Sequence, residues 1–397
     1  MINQNCFKNI KHNGRDTLLK QKTYTTFDGR KSLKSLPELC LELLSVQKRE
    51  WLDLWKGCES LKSVRERDLS CRGFSVRLQY NPLRIKSSTA DVGNKNVKER
   101  QCFLCLDHLP DAQKGILYRG DYLILCNPMP VLSPHFTISH LDHRLQAIDE
   151  HIDTLLQLMA DFGSDWTVLY NGPKCGASAP DHLHFQAVPS GQIPIEKEIR
   201  GEKRLTLMKQ ADGVLLYRAR DLGREVIILE GDDPMAVGGT FKRFLNALKK
   251  VLLVTTARDH GLWPWENAPS CGRDVAPHGP GKEDHRLYTW GSINEEPMIN
   301  IAGFYEERKW EESKWRLLIF PRRKHRPDTF SREGDARVVV SPGVIDMGGV
   351  LITPVEKDYE RLDEAAIEGI YREVSLEGET VGKAIDAMEV HHTGIME

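Results

Sequence analysis

The feature that most constrains this chain is an echo within it. Between Tyr118 and Pro189 the order of elements is legible. YLILCNP reads as a strand stopped by Pro128, HFTISHL as a second strand, LQAIDEHIDTLLQLMADF as an amphipathic helix, DWTVLYNG as a third strand and HLHFQAV as a fourth. A weaker copy follows: REVIILEGDDP matches the first strand with its stop, TFKRFLNALKKVLLV the helix, MINIAGFYEE the third strand and KWRLLIFPR the fourth. Repetition on this scale means two copies of one supersecondary unit, each needing the other to complete a core. The expected fold is α+β: two repeats, each an antiparallel sheet with a crossing helix, packed as an intramolecular pseudo-dimer. The copies differ chemically, since the second carries Arg316-Leu317-Leu318 where the first carries His182-Leu183-His184.

Around the repeats, the first 35 or so residues are polar and unpatterned and read as a mobile or loosely packed arm. From Leu36 to about Asp68, Leu39, Leu43, Val46, Trp51, Leu54 and Leu61 recur at helical spacing, the mark of a helix or helix pair. FSVRLQYNPLRI alternates like a strand ended by a turn at Asn81-Pro82, and DEAAIEGIYREV near the tail reads as an amphipathic helix. WENAPSCGRDVAPHGPGKED, rich in Pro and Gly, reads as a surface loop inserted in the second copy. The expected divisions are 1–73 as N-terminal arm and helical segment, 74–200 as the first repeat, and 201–397 as the second, degenerate repeat with a C-terminal helix.

Charge excludes several classes of function. Lys+Arg 55 against Asp+Glu 57 leaves a formal charge of -2, which argues against nucleic-acid or membrane partners. No stretch approaches the roughly 20 apolar residues of a membrane-spanning helix, and no secretory signal is evident, so a soluble, cytoplasmic protein is expected. The nine cysteines read as reduced thiols, among which only Cys102 and Cys105 have a spacing with chemical meaning.

The chemistry concentrates in Asp181-His182-Leu183-His184-Phe185-Gln186-Ala187-Val188. Polar and apolar residues alternate, so on a strand His182, His184 and Gln186 share one face while Leu183, Phe185 and Ala187 share the core face. A solvated polar face explains many such strands, but two imidazoles and an amide in a row point to a ligand. The preceding loop, YNGPKCGASAPD, is rich in small residues and suited to bringing backbone N–H groups close to an anion.

His-x-His-x-Gln after a Gly/Ala/Ser loop, on the last strand of a duplicated α+β unit, resembles the nucleotidyltransferase branch of the histidine-triad superfamily. That branch includes galactose-1-phosphate uridylyltransferases, dinucleoside tetraphosphate phosphorylases and GDP-hexose phosphorylases. GASAPDHLHFQA and the C-terminal VSPGVIDMGGVLITPVEKDYERL are most similar to the last group, and the likeness runs from about residue 74 to the end. The resemblance implies an enzyme in which His184 is the nucleophile and Gln186 contacts the transferred phosphate. Imidazole chemistry agrees: a neutral ring attacks phosphorus without charge repulsion and leaves easily afterwards. Gln186 can donate its amide to a phosphoryl oxygen while staying uncharged.

The implied activity is nucleotidyl transfer from a nucleoside-diphosphate hexose through a covalent nucleotidyl-histidine, with a sugar phosphate or inorganic phosphate as the other partner. GDP-hexose phosphorolysis is the first expectation. Hexose-1-phosphate uridylyl transfer and a non-catalytic nucleotide-binding sensor are the alternatives, and a homodimer is compatible with the family. No organic cofactor is expected.

Cys102-Phe103-Leu104-Cys105 has the spacing that lets two thiolates reach one tetrahedral ion. Some uridylyltransferases of the branch complete such a pair with a His after the second strand and the first His of His-x-His. These positions fall here on His143 and His182, implying a structural zinc, with His135 and His140 as other candidates for the third ligand; ordinary buried thiols are the alternative. Asn127 stands where related enzymes place a nucleotide-contacting Asn. Lys174 and Ser178, in the loop before the histidines, and Asn81 and Arg84, in YNPLRI, are candidate nucleotide- or phosphate-binding residues. The run Arg322-Arg323-Lys324-His325-Arg326 is either a phosphate clamp or a solvated face, and Trp263 and Trp265 either wall a base pocket or anchor a loop.

Overall fold

The computed structural model describes residues 14–90, 100–200, 202–259, 295–307 and 313–388. Trp263, Trp265 and the Pro/Gly-rich insertion lie outside the described residues. The described chain is organised by an 11-stranded sheet, with a smaller sheet covering one of its faces.

In chain order, the strands begin with β1 (Thr23–Phe27), β2 (Arg65–Ser70) and β3 (Ser75–Tyr80). The first repeat supplies β4 (Gly115–Tyr118), β5 (Tyr122–Cys126), β6 (Phe136–His140), β7 (Trp166–Asn171) and β8 (His184–Pro189). The second supplies β9 (Leu205–Ala211), β10 (Val214–Ala219), β11 (Ile227–Gly231), β12 (Ile299–Glu306) and β13 (Lys314–Pro321), and β14 (Val350–Thr353) follows. The large sheet runs β1-β4-β5-β6-β8-β7-β12-β13-β11-β10-β9. Leaving out β1, this is one five-strand order read outward in both directions from the β7–β12 seam. Strands β6 and β7 are joined through helix α3 (Ile152–Phe162), and β11 and β12 through helix α4 (Pro234–Asp259). The duplication expected from sequence is thus written in the topology.

The strand bounds correct the alignment of the copies. Ile138 pairs with Phe185, and Leu229 with Leu317; all four belong to one core cluster. Pairing alone also fits the sequence-based match, since Ile227 pairs with Ile319 in the same core. The bounds select between them: laying β11 on β6 and the Pro321 end of β13 on the Pro189 end of β8 matches Phe185 with Leu317, His184 with Arg316 and Gln186 with Leu318, two residues from the sequence-based match. REVIILEGDDP likewise corresponds to the second strand of the first copy, because β11, like β6, immediately precedes the crossing helix. Two strands separated by only a tight turn, β9 and β10, fill the places of β4 and β5.

One core lies on the side of α3, α4, α1 (Leu36–Glu50) and α2 (Leu52–Ser60), and contains Phe185, Ala187, Val168 and Tyr170. The capping box of Ser35 and Glu38 starts α1, where Pro37 suits the first turn. The other core packs β3, β14 and helix α5 (Glu364–Val374) on the opposite face, against Leu169, Val188, Leu318 and Phe320. His184 and Gln186 alternate with Phe185 and Ala187 and so face this second layer.

Three sequence expectations change. Within the expected arm, β1 pairs in parallel with β4, so residues 23–27 are an edge of the main sheet; the segment is polar because it lies at that edge. The division at 73/74 falls in the turn of an antiparallel hairpin, β2–β3, whose other neighbour is β14. Finally, the crossing helix begins at Ile152, not Leu145, because residues 145–151 are held by contacts to the site.

Candidate active site and metal-binding cluster

His184 opens β8 and is 3% exposed. Its Nδ1 lies 2.8 Å from the carbonyl of His182, two residues back. A carbonyl can only accept, so Nδ1 carries the proton and Nε2 keeps its lone pair. Burial holds the imidazole well below its ordinary pKa, at about 4, so the ring is neutral at pH 7. The backbone of His184 is gripped by Gln146: His184 N–H donates to Oε1 (2.8 Å), and Nε2 of Gln146 donates to the carbonyls of His184 (3.1 Å) and Asn171 (2.8 Å). Gln146 is absent from the sequence-based candidates because LQAIDEH has helical periodicity.

Gln186 is two residues beyond His184 on the same strand face. Its Oε1 is 2.9 Å from Nε2 of His135, and Nδ1 of His135 accepts from the N–H of Val131 (3.4 Å). His135 therefore donates from Nε2, and the amide –NH₂ of Gln186 is left as its outward-facing donor group. Burial and, less strongly, the Arg84 charge lower the His135 pKa to about 4 against the bond to Gln186, which raises it. His135 thus belongs to Gln186 rather than to the cysteines.

Cys102, Cys105, His143 and His182 come together, their ligand atoms all within 4.8 Å of one another. Cys102 Sγ is 3.2 Å from His182 Nδ1, Cys105 Sγ is 3.2 Å from His143 Nδ1, and Cys105 Sγ is 3.6 Å from His182 Nδ1. Zn–S and Zn–N bonds of about 2.3 and 2.1 Å at a tetrahedral angle put neighbouring ligand atoms about 3.6 Å apart. The outer contacts fit as well: His182 Nε2 donates to the His140 carbonyl at 2.8 Å, leaving Nδ1 as a ligand atom, and His143 Nε2 is 3.6 Å from Asp181 Oδ2. Burial and the neighbouring Cys102 push the Cys105 thiol up to about 12, a penalty on thiolate that a bound cation offsets. The four residues can hold a zinc ion. His140 contributes its carbonyl to the cluster, while its ring Nδ1 accepts from the N–H of Asp142 (2.9 Å).

A small polar cavity is lined by Arg84, Ser178, His325, Arg326, Ser341 and Asp346, among others, and His184 and Gln186 are not among its lining residues. The structure thus brings Arg84 and Ser178 together and adds residues of the second copy. Gly176 also lines it, at φ +104; a Cβ there would lie 2.7 Å from Gly343 Cα, so the approach of the two loops needs glycine. Asn81 is buried below, its backbone bonded to Thr353 and Arg84. Asn127 spends its side-chain oxygen on the N–H of Met129 (2.9 Å), and Lys174 is bound to Glu295 at 2.5 Å. Neither is among the residues lining the cavity.

The basic run divides. Arg323 pairs with Glu377, Lys324 with Asp328 and Glu373, and His325 and Arg326 reach the cavity. Arg322 is 1% exposed and wholly structural. In the second copy, Arg316 at the position of His184 is clasped by Glu230 in an ion pair. No described helix is long and apolar enough to cross a membrane.

A family model described as "Domain of unknown function (DUF4922)" matches residues 43–189, the stretch holding both the cluster and the His184 strand. No curated protein matches the chain. Among solved structures, the chain is similar to yeast Ap4A phosphorylase Apa2, at 13% identity over 83% of this chain and 94% of that one, with a TM-score of 0.46. It is also similar to a DUF4931 family protein from Bacillus cereus (11% identity, 57% and 93% covered, TM-score 0.30) and to a uridylyltransferase mutant (11% identity, 68% and 88% covered, TM-score 0.33).

Proposed function

We propose that this chain is a nucleotidyltransferase acting on nucleoside-diphosphate hexoses, with His184 as the covalent nucleophile and GDP-hexose phosphorolysis as its reaction. The observation that carries the reading is the pairing of a neutral, Nδ1-protonated His184 with a Gln186 whose amide oxygen is already taken by His135. Nε2 attacks the α-phosphorus, the bond from phosphorus to the bridging oxygen breaks, and hexose 1-phosphate departs with the electron pair. In the second step an oxygen of inorganic phosphate attacks the same phosphorus and the P–N bond returns its electrons to Nε2. Nδ1–H stays bonded to the His182 carbonyl throughout and supports the positive ring of the intermediate. Gln186 donates to a non-bridging oxygen as negative charge gathers there.

Arg84 and Ser178 are assigned to phosphate oxygens in the cavity, with Asn81 supporting the Arg84 turn; Asn127 and Lys174, engaged by Met129 and Glu295, are given no direct phosphate contact. Zinc at Cys102, Cys105, His143 and His182 would supply rigidity beside the nucleophile and no bond making. That complete ligand set also favours a second reading, hexose-1-phosphate uridylyl transfer. Incubating the protein with GDP-glucose, UDP-glucose or diadenosine tetraphosphate, each with inorganic phosphate or galactose 1-phosphate, separates these. GDP-glucose with phosphate is expected to give GDP and glucose 1-phosphate, and His184→Asn to give neither. UDP-glucose turnover only with galactose 1-phosphate selects the second reading, and nucleotide binding without turnover selects a sensor.

A further inference from the structure

We propose that Gln146 is the positioning residue of the site: its carboxamide replaces a missing rung of the sheet and thereby sets where His184 stands. The proposal rests on the nucleotidyl-transfer reading for its kinetic consequence only. Strands β7 and β8 pair from Trp166↔Pro189 to Leu169↔Gln186. Continued in register, the next pair with this orientation is Asn171 and His184. The strands part before reaching it, which lets residues 172–183 carry the chain out to the cavity and back. Gln146 enters the fork, 2% exposed, and bonds the carbonyl of Asn171 on one side and both backbone groups of His184 on the other.

A primary amide is the one uncharged side-chain group that offers an acceptor and two donors in a plane, as a neighbouring peptide edge would. Without it the first residue of β8 would hold unpaired buried backbone groups or fray. The ring would follow, because its orientation depends on Nδ1–H reaching the carbonyl of His182. His182 is fixed from the other direction by its contacts to Cys102 and the His140 carbonyl. The nucleophile is thus braced on both sides, by the cysteine–histidine cluster at one residue and Gln146 at the other.

Gln146 is itself braced. Two residues on, the N–H of Ile148 donates to Oε2 of Glu296 at 2.6 Å, and Oε1 of the same carboxyl accepts from Tyr170 at 2.8 Å. These contacts keep 145–151 out of α3 despite their helical pattern.

The test uses the full chain with Gln146→Leu, which removes all three bonds, and Gln146→Glu, which keeps the acceptor and loses the donors. ¹⁵N-histidine NMR, with the His184 ring assigned by its loss in His184→Asn, reads the tautomer. Uptake of label from [α-³²P]GDP-glucose and [α-³²P]UDP-glucose reads the rate. Both variants are expected to keep zinc content and circular dichroism, to lose the single Nδ1–H tautomer, and to lower kcat about 100-fold with KM little changed, as for a misplaced reacting group. A folded variant with a wild-type ring signature or a wild-type kcat overturns the proposal. If the wild-type chain takes up no label, the nucleotidyl-transfer reading fails while the ring signature still decides the clamp. Should neither variant fold, hydrogen exchange in the wild-type chain decides: a His184 amide as protected as that of Phe185 supports the bond to Gln146, and a fast-exchanging one overturns it.

Discussion

His182 Nε2 lies 2.8 Å from the carbonyl of His140, and that contact decides which nitrogen of His182 faces Cys102, 3.2 Å away. A backbone group thus orients the ring so that Nδ1 is the atom available to a metal. Purified without chelator, the protein is expected to contain about one zinc per chain. Cys102→Ser/Cys105→Ser should abolish it, and chelation should lower the melting temperature. Elemental analysis finding no zinc, or zinc undiminished in the double variant, would rule out the site.

Glu296 gives a pH dependence of known sign. Burial pushes its carboxyl from about 4.5 up to about 7, opposed by the bonds from Ile148 and Tyr170 and by Lys249, and assisted by Asp149. The folded chain holds the proton more tightly than the unfolded one, so the contribution is complete below about pH 4.5 and is lost as pH rises through 7. The size is at most about 3 kcal/mol. Urea unfolding at pH 5 and pH 8 should show a smaller loss in Glu296→Gln than in the wild type; equal losses would remove Glu296 as the source.

Arg322 ties the second copy to the first. Its guanidinium donates to the carbonyls of Pro342, Lys324, His325 and Val374 and to Asn300 Oδ1, and Asn300 in turn donates to Asn171 Oδ1. Arg322→Met leaves those buried acceptors unpaired and should cost at least about 3 kcal/mol. Arg322→Lys should recover only part, since one ammonium cannot meet five acceptors spread around a plane. Denaturant midpoints test the order wild type, Lys, Met.

Gln186→Glu should fold normally, because His135 Nε2–H keeps an oxygen to bond. It places a carboxylate where the proposed reaction uses an amide donor toward a phosphoryl oxygen, and transfer is expected to fall about 10²- to 10³-fold. A variant with unchanged turnover would show that Gln186 lies outside the reaction.

Much of this was legible in particular residues. Alternation along HLHFQAV gave the shared face of His184 and Gln186, and Cys102-x-x-Cys105 gave half of the cluster. What escaped was non-local. Gln146 sits within a helical pattern, and only the forked strands reveal why its amide leaves the helix. Arg322 looks like one charge in a basic run, and its burial follows from the seam where the tail folds back. The copy alignment slipped by two because Arg316-Leu317-Leu318 has the same polar–apolar texture at either register, and the bounds of the strands distinguish them.

The central claim is that His184 carries the nucleotidyl group between donor and acceptor. Brief reaction with [α-³²P]GDP-glucose, acid-free denaturation and peptide mass spectrometry test it directly. The account predicts a base-stable, acid-labile nucleotidyl adduct on the peptide containing His184, discharged by inorganic phosphate and missing in His184→Asn. Turnover without that adduct, or an adduct that survives in His184→Asn, would contradict it.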